Sequence, residues 1–201
     1  MANTGQYRIY FVDDDPGICQ EVSEFLGNAG YEVICFASPF DCLKQLVSQG
    51  CDLLIADYRI PEINGLELMR KARHILPWLP VLIITGYGDI QLAVTAIKDG
   101  AVDFLEKPLD TESFIRKIEM IIEKNHDSIK LINGSLTPME KKVLRFVILG
   151  KNNNETAQML NRSRRTIETH RANIMRKFGV NNVVDLYRHT SIRQIFKSPD
   201  E

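Results

Sequence analysis

Asp13, Asp14 and Asp57 are the residues from which chemistry in this chain can start. Tyr7 to Val12 is an apolar-rich run that ends in Asp13-Asp14-Asp15, and Leu53-Leu54-Ile55-Ala56 is a continuous apolar run that ends in Asp57. Short apolar runs bounded by turn signals fit buried strands of a parallel sheet. Pro61 and Asn64-Gly65 then turn the chain after Asp57. At the carboxyl edge of such a sheet, where ligands bind, the three acids would crowd together. Such crowding is costly unless a cation relieves it. Oxygen-only donors suit Mg2+, or Mn2+ in its place. Two further apolar runs, Val81 to Thr85 and Val102 to Leu105, bring the hydroxyl of Thr85 and the ammonium of Lys107 to the same edge. A carboxylate nucleophile, a metal, a hydroxyl and an ammonium are the parts needed to move a phosphoryl group onto an aspartate.

Two other uses of these acids fail on spacing. A calcium loop starting at Asp13 would need glycine at position 18, which is Ile18. An Asp-x-Asp-x-Thr phosphatase motif would need threonine where Gly17 stands.

A second constellation is basic. Arg164, Arg165, Arg171, Arg176 and Lys177 share one helical stretch with Ile167, Ile174 and Phe178, which recur at inward spacing. Arg165, Thr169, Ala172 and Arg176 then face outward with Glu168 beside them. A short helix, a turn and a longer arginine-rich helix suit a helix-turn-helix that enters the major groove of DNA. Charge follows the same division. Residues 1–130 hold 12 Lys+Arg against 20 Asp+Glu, and residues 131–201 hold 13 against 6. An acidic half joined to a basic half implies different partners, with nucleic acid for the basic one.

The elements that must position these groups alternate strictly at first. Five strands and five helices, ending with an apolar stripe from Thr111 (Phe114, Ile115, Ile118, Ile121, Ile122), call for a doubly wound α/β parallel sheet. Asp15 and Pro16 start the first helix as cap and first residue. Beyond Asn133-Gly134-Ser135 everything reads as helical: Thr137-Pro138 opens one helix, Asn152-Asn153-Asn154 and Asn161-Arg162-Ser163 lead into the next two, Asn182 caps the last, and Gly150 and Gly179 stand at helix ends. This gives a first domain over 1–125, a partly helical linker over 126–135 and a small all-α domain over 136–201. No apolar stretch reaches the length of a membrane span, the polar start is unlike a signal peptide, and four scattered cysteines without CxxC spacing read as reduced thiols, so a cytoplasmic protein is expected.

On these residues the first domain resembles a response-regulator receiver, a flavodoxin-like fold. The acidic pair Asp13-Asp14, the phosphoacceptor position Asp57, the threonine Thr85 and the lysine Lys107 before Pro108 all stand in order. Phe104 takes the place of the aromatic switch residue. Ile60 and Asn64 stand where methionine and aspartate are more usual in the turn after the phosphoacceptor. The resemblance implies metal ligation by Asp14 directly, by Asp13 through water, by Asp57 and by the backbone carbonyl of Arg59. It also implies a cis Lys107-Pro108 bond.

The second domain resembles a LuxR-type DNA-binding domain on Leu136-Thr137-Pro138-Met139-Glu140, on Glu155 and Ala157, and on the run from Arg165 to Met175. Together the two halves resemble the NarL/FixJ group of two-component response regulators. Thr156 and Arg162 replace usual aliphatics and are expected to loosen the packing of the two helix-turn-helix helices. Asn161 replaces a glycine and tolerates the same left-handed turn.

The expected function is a phosphorylation-dependent transcription regulator. A sensor histidine kinase supplies the phosphoryl group, a homodimer forms on phosphorylation, and double-stranded promoter DNA is bound, with RNA polymerase as a further partner. The DNA set is Arg164, Arg165, Glu168, Thr169, Arg171, Ala172, Arg176 and Lys177. No enzyme activity beyond the receiver's own phosphoryl transfer and dephosphorylation is expected. Two rival readings are a receiver whose helical tail binds protein or RNA, and a magnesium-dependent phosphatase.

Overall fold

The structure, a computed structural model, describes residues 7–86, 90–130 and 134–188, with backbone alone over 125–130 and 187–188. The chain divides into two compact units between Lys124 and Asn125. The expected break at Asn133-Gly134 therefore lies partly outside the described residues, as do the Tyr187 side chain and the tail beyond Arg188.

The first unit alternates strand and helix: β1 (Arg8–Val12), α1 (Pro16–Asn28), β2 (Glu32–Phe36), α2 (Pro39–Ser48), β3 (Leu53–Asp57), α3 (Gly65–Ile75), β4 (Val81–Thr85), α4 (Ile90–Lys98), β5 (Asp103–Glu106) and α5 (Thr111–Lys130). All strand pairs are parallel, in the order β2-β1-β3-β4-β5. Every residue of β3 and of β4 is buried, which is why both read as unbroken apolar runs.

Alternate side chains still go to opposite faces. Tyr10, Val12, Leu54, Ala56, Val81 and Ile83 join Leu46, Leu68, Met69 and Ala96 on the side of α2, α3 and α4. Ile9, Phe11, Leu53, Ile55, Leu82 and Ile84 join Val22, Leu26, Phe114 and Ile118 on the side of α1 and α5. The helices thus cover both faces of the sheet. All four cysteines are free thiols, and burial pushes the Cys42 thiol up to about 12, far from a reactive thiolate.

The second unit includes α6 (Pro138–Ile148), α7 (Asn153–Leu160), α8 (Arg164–Phe178) and α9 (Val183–Arg188). The expected Thr137 cap is present, and polar residues of the next two turns cap the following helices. Thr137 and Glu140 form a capping box on α6, Asn152 and Glu155 form another on α7, and Ser163 accepts from the Thr166 amide on α8. Asn161 holds the left-handed turn between α7 and α8 at φ 50°, as the sequence anticipates.

The two residues that replace aliphatics sit in different surroundings. Thr156 is fully buried, yet its hydroxyl donates to the Asn152 carbonyl at 2.8 Å, so the polar group is satisfied within its own helix. Arg162 is exposed and takes no part in the core.

Candidate functional site

The sheet order places β1 and β3 side by side, so Asp13 and Asp57 emerge next to each other. Ligand atoms of Asp13, Asp14 and Asp57 all lie within 4.8 Å of one another. Asp14 is exposed, whereas Asp13 and Asp57 are buried. Lys107 reaches in from beyond β5, its amide donating to the Thr85 carbonyl at 2.7 Å and its peptide bond to Pro108 being cis. Thr85 is fully buried at the end of β4, and Phe104 is half-buried against the α2–α4 core. Arg59 lies exposed in the turn two residues after Asp57, and its amide donates to the Asp57 carboxylate.

The two buried carboxylates are not equivalent. Asp13 is bonded at both oxygens, accepting from the Asp15 amide at 3.0 Å and from the Lys107 ammonium at 2.6 Å. Asp57 Oδ1 is buried and has no hydrogen-bond partner among the described residues, with the Lys107 ammonium at 3.4 Å. Burial pushes the Asp57 carboxyl above the ordinary carboxylate range against the pull of Lys107, and the neighbouring Asp13 adds to that push. An orphaned carboxylate oxygen beside two more acids is a donor set that fits a hard divalent cation such as Mg2+.

Gly65 is a site residue that the sequence reading treats only as part of a turn. Its amide donates to the Tyr58 carbonyl at 2.9 Å, and a Cβ there would run into the Asp57 carbonyl. Close approach of two backbone segments, rather than an unusual backbone angle, demands glycine here. No signal in one sequence separates that demand from an ordinary Asn-Gly turn.

On α8 the inward set is Ile167, Ile174 and Phe178, while Arg164, Arg165, Glu168, Thr169, Ala172 and Arg176 are exposed. Arg171 is half-buried, with NH1 3.4 Å from the Lys151 carbonyl. Glu168 is not free: Arg164 Nε donates to it at 2.7 Å and Asn153 Nδ2 lies at 3.5 Å. Lys177, a residue of the expected DNA set, is half-buried and paired within its own domain. Its ammonium bonds the buried Glu140 carboxylate at 2.7 Å and the Ser135 carbonyl at 2.8 Å, which ties α8 to the start of α6. A basic residue in the last turn of a helix can serve its own fold as readily as a ligand, and its spacing alone does not say which.

Residues 9–119 match the response regulator receiver domain family, more than half of the chain, and residues 134–190 match the bacterial regulatory proteins of the luxR family. The chain is a response regulator. It is 37% identical over 197 residues to the response regulator protein TmoT of Ectopseudomonas mendocina, covering 94% of this chain and 90% of that protein. Full-length FixJ from B. japonicum superposes with a TM-score of 0.58 at 32% identity, covering 96% of this chain and 97% of that one. A beryllofluoride-activated NtrC4 receiver domain dimer gives a TM-score of 0.56 at 30% identity over 58% of this chain and 97% of that one. This response regulator is therefore a FixJ-like, phosphorylation-dependent transcription regulator of a two-component system, with a histidine kinase as its partner and a DNA-binding second domain. Among its described residues, no helix is long and apolar enough to cross a membrane.

Proposed function

We propose that Asp57 is the phosphoacceptor and that Asp13, Asp14, Asp57 and the Arg59 carbonyl hold Mg2+ or Mn2+ beside it. The observation that carries this reading is the buried Asp57 Oδ1, which has no hydrogen-bond partner among the described residues, beside the Lys107 ammonium and in one cluster of carboxylates with Asp13 and Asp14. The cation supplies charge neutralisation for the incoming phosphoryl oxygens. Asp57 attacks phosphorus while the donor's leaving group departs. Lys107 and the Thr85 hydroxyl then hold the new phosphoryl oxygens, and Phe104 follows Thr85 inward. Release of phosphate by water at the same site is the one further reaction assigned to this domain.

Phosphorylation is read out as homodimerisation. The support is an exposed apolar stripe on α4, with Ile90 81%, Val94 47% and Ile97 47% exposed at helical spacing. The NtrC4 receiver, a structural relative, is described as a dimer in its activated form. The dimer places two copies of α8 on promoter DNA in the cytoplasm, where RNA polymerase is the next partner.

Within α8, Arg164, Arg165, Arg171 and Arg176 contact phosphates, and Glu168, Thr169 and Ala172 meet base edges. Lys177 drops out of that set because its ammonium is committed to Glu140 and Ser135. Phosphorylation with acetyl phosphate and Mg2+ should raise affinity for a selected palindromic DNA fragment, and Asp57→Asn should abolish the rise. An equal rise in that variant would remove Asp57 from the control of DNA binding.

A further inference from the structure

An acid on a DNA-facing helix needs a reason to be tolerated. Phosphates surrounding the groove repel a free carboxylate, and protein–DNA affinity depends on cations that replace counterions. Glu168 escapes that difficulty because its carboxylate is gripped from two helices, by Arg164 Nε at 2.7 Å within α8 and by Asn153 Nδ2 at 3.5 Å from α7. Arg164 also lines a polar cleft of about 300 Å³ with Asn152, Asn153, Asn154 and Arg171. The guanidinium carries five donors in a planar fork, and the bond to Glu168 uses only Nε. Among the described residues its NH1 and NH2 groups have no hydrogen-bond partner, which leaves them for an anion in the cleft.

We propose that Arg164 is a positioning residue for base recognition: one guanidinium holds the Glu168 carboxylate in place and binds a DNA phosphate at the mouth of the α7–α8 cleft. This inference rests on the reading of Glu168 as a base contact and goes beyond it. An exposed i, i+4 ion pair adds little to stability, so the worth of this one lies in orientation. In the groove, where water is thinned, the pairing strengthens. Phosphate anchoring and base reading are then coupled through one side chain, and sequence preference depends on a residue that touches no base.

The test is competition binding of the full chain to its selected palindromic DNA against single-base variants at several salt concentrations. Arg164→Lys keeps the charge but not the fork. It should leave the salt slope close to that of the parent, yet relax preference at the base pair read by Glu168, roughly tenfold. Arg164→Ala should relax the same base pair and also flatten the salt slope by about one. Adding Glu168→Ala to Arg164→Lys should cause no further loss there. Unchanged base preference in Arg164→Lys, with Glu168→Ala relaxed, would overturn the positioning role while leaving Glu168 as the reader. Unchanged preference in Glu168→Ala would instead overturn the base-reading assignment itself, and the positioning role with it. Circular dichroism of each variant, expected to match the parent, separates these effects from loss of the helix.

Discussion

The Lys107 ammonium lies 2.6 Å from Asp13 Oδ2 and 3.4 Å from Asp57 Oδ1, so one lysine bonds the Asp13 carboxylate and only faces that of Asp57, the proposed phosphoacceptor. Asp13 is 2% exposed, and Lys107 offsets its buried charge. Replacing Lys107 by alanine should cost roughly 2 kcal/mol of receiver stability in chelator, the scale of a lost hydrogen bond to a charged group. Mg2+ should recover part of that loss by neutralising the same carboxylate. Thermal melts with and without the ion test this, and an identical loss in both conditions would mean that lysine and cation do not share Asp13.

Gly65 fixes the backbone on which Asp57 sits. Gly65→Ala should push its Cβ into the Asp57 carbonyl, lowering stability by about 1–3 kcal/mol as other overpacking substitutions do. It should also slow phosphorylation by acetyl phosphate in the fraction that remains folded. A variant with parental melting and parental rate would show that the loop relaxes without disturbing the acceptor.

The second unit should lose stability on acidification in a way that depends on Glu140. Burial pushes the Glu140 carboxyl up, but the Lys177 ammonium and the amide and hydroxyl of Thr137 outweigh it and hold the group below its ordinary value of 4.5. A carboxyl depressed in the folded state contributes stability that is present above 4.5 and lost as pH falls through the folded value. Lys177→Met should therefore reduce stability near neutral pH and flatten the acid-side decline, while leaving the salt slope of DNA binding unchanged. A salt slope reduced by about one would return Lys177 to the phosphate contacts.

The α4 stripe gives a fourth expectation. Val94→Asp places a charge between Ile90 and Ile97, on a side chain that is 47% exposed and makes little core contact. The variant should accept phosphate at the parental rate but remain monomeric in sedimentation at micromolar concentration. Phosphorylation-dependent dimers in that variant would move the pairing surface elsewhere.

Much of this arrangement was legible before any coordinates. β3 and β4 announce themselves because both faces of a central parallel strand are buried, so the apolar run is unbroken and the first polar residue marks the sheet edge. Caps at Asp15 and Thr137 are local chemistry and can be read residue by residue, and the turns at 152–154 and 161–163 supply those of α7 and α8. The parts that escaped depend on contacts between distant residues. Lys177 meets Glu140 across 37 positions, and nothing in its own helix distinguishes it from a DNA-facing lysine. Gly65 meets the Asp57 backbone across a turn, and Glu168 finds Asn153 on the neighbouring helix. Thr156 escaped for a different reason: the hydroxyl that makes it look misplaced bonds back to its own helix.

Asp57 as the metal-assisted phosphoacceptor is the claim on which the rest depends, and intact-mass spectrometry tests it most directly. The protein incubated with acetyl phosphate and Mg2+ should gain the mass of one phosphoryl group. That gain should disappear in chelator and in Asp57→Asn, since the buried acids repel the incoming oxygens without a cation and the variant lacks the nucleophile. A full gain in Asp57→Asn, or an equal gain in chelator, would contradict the account.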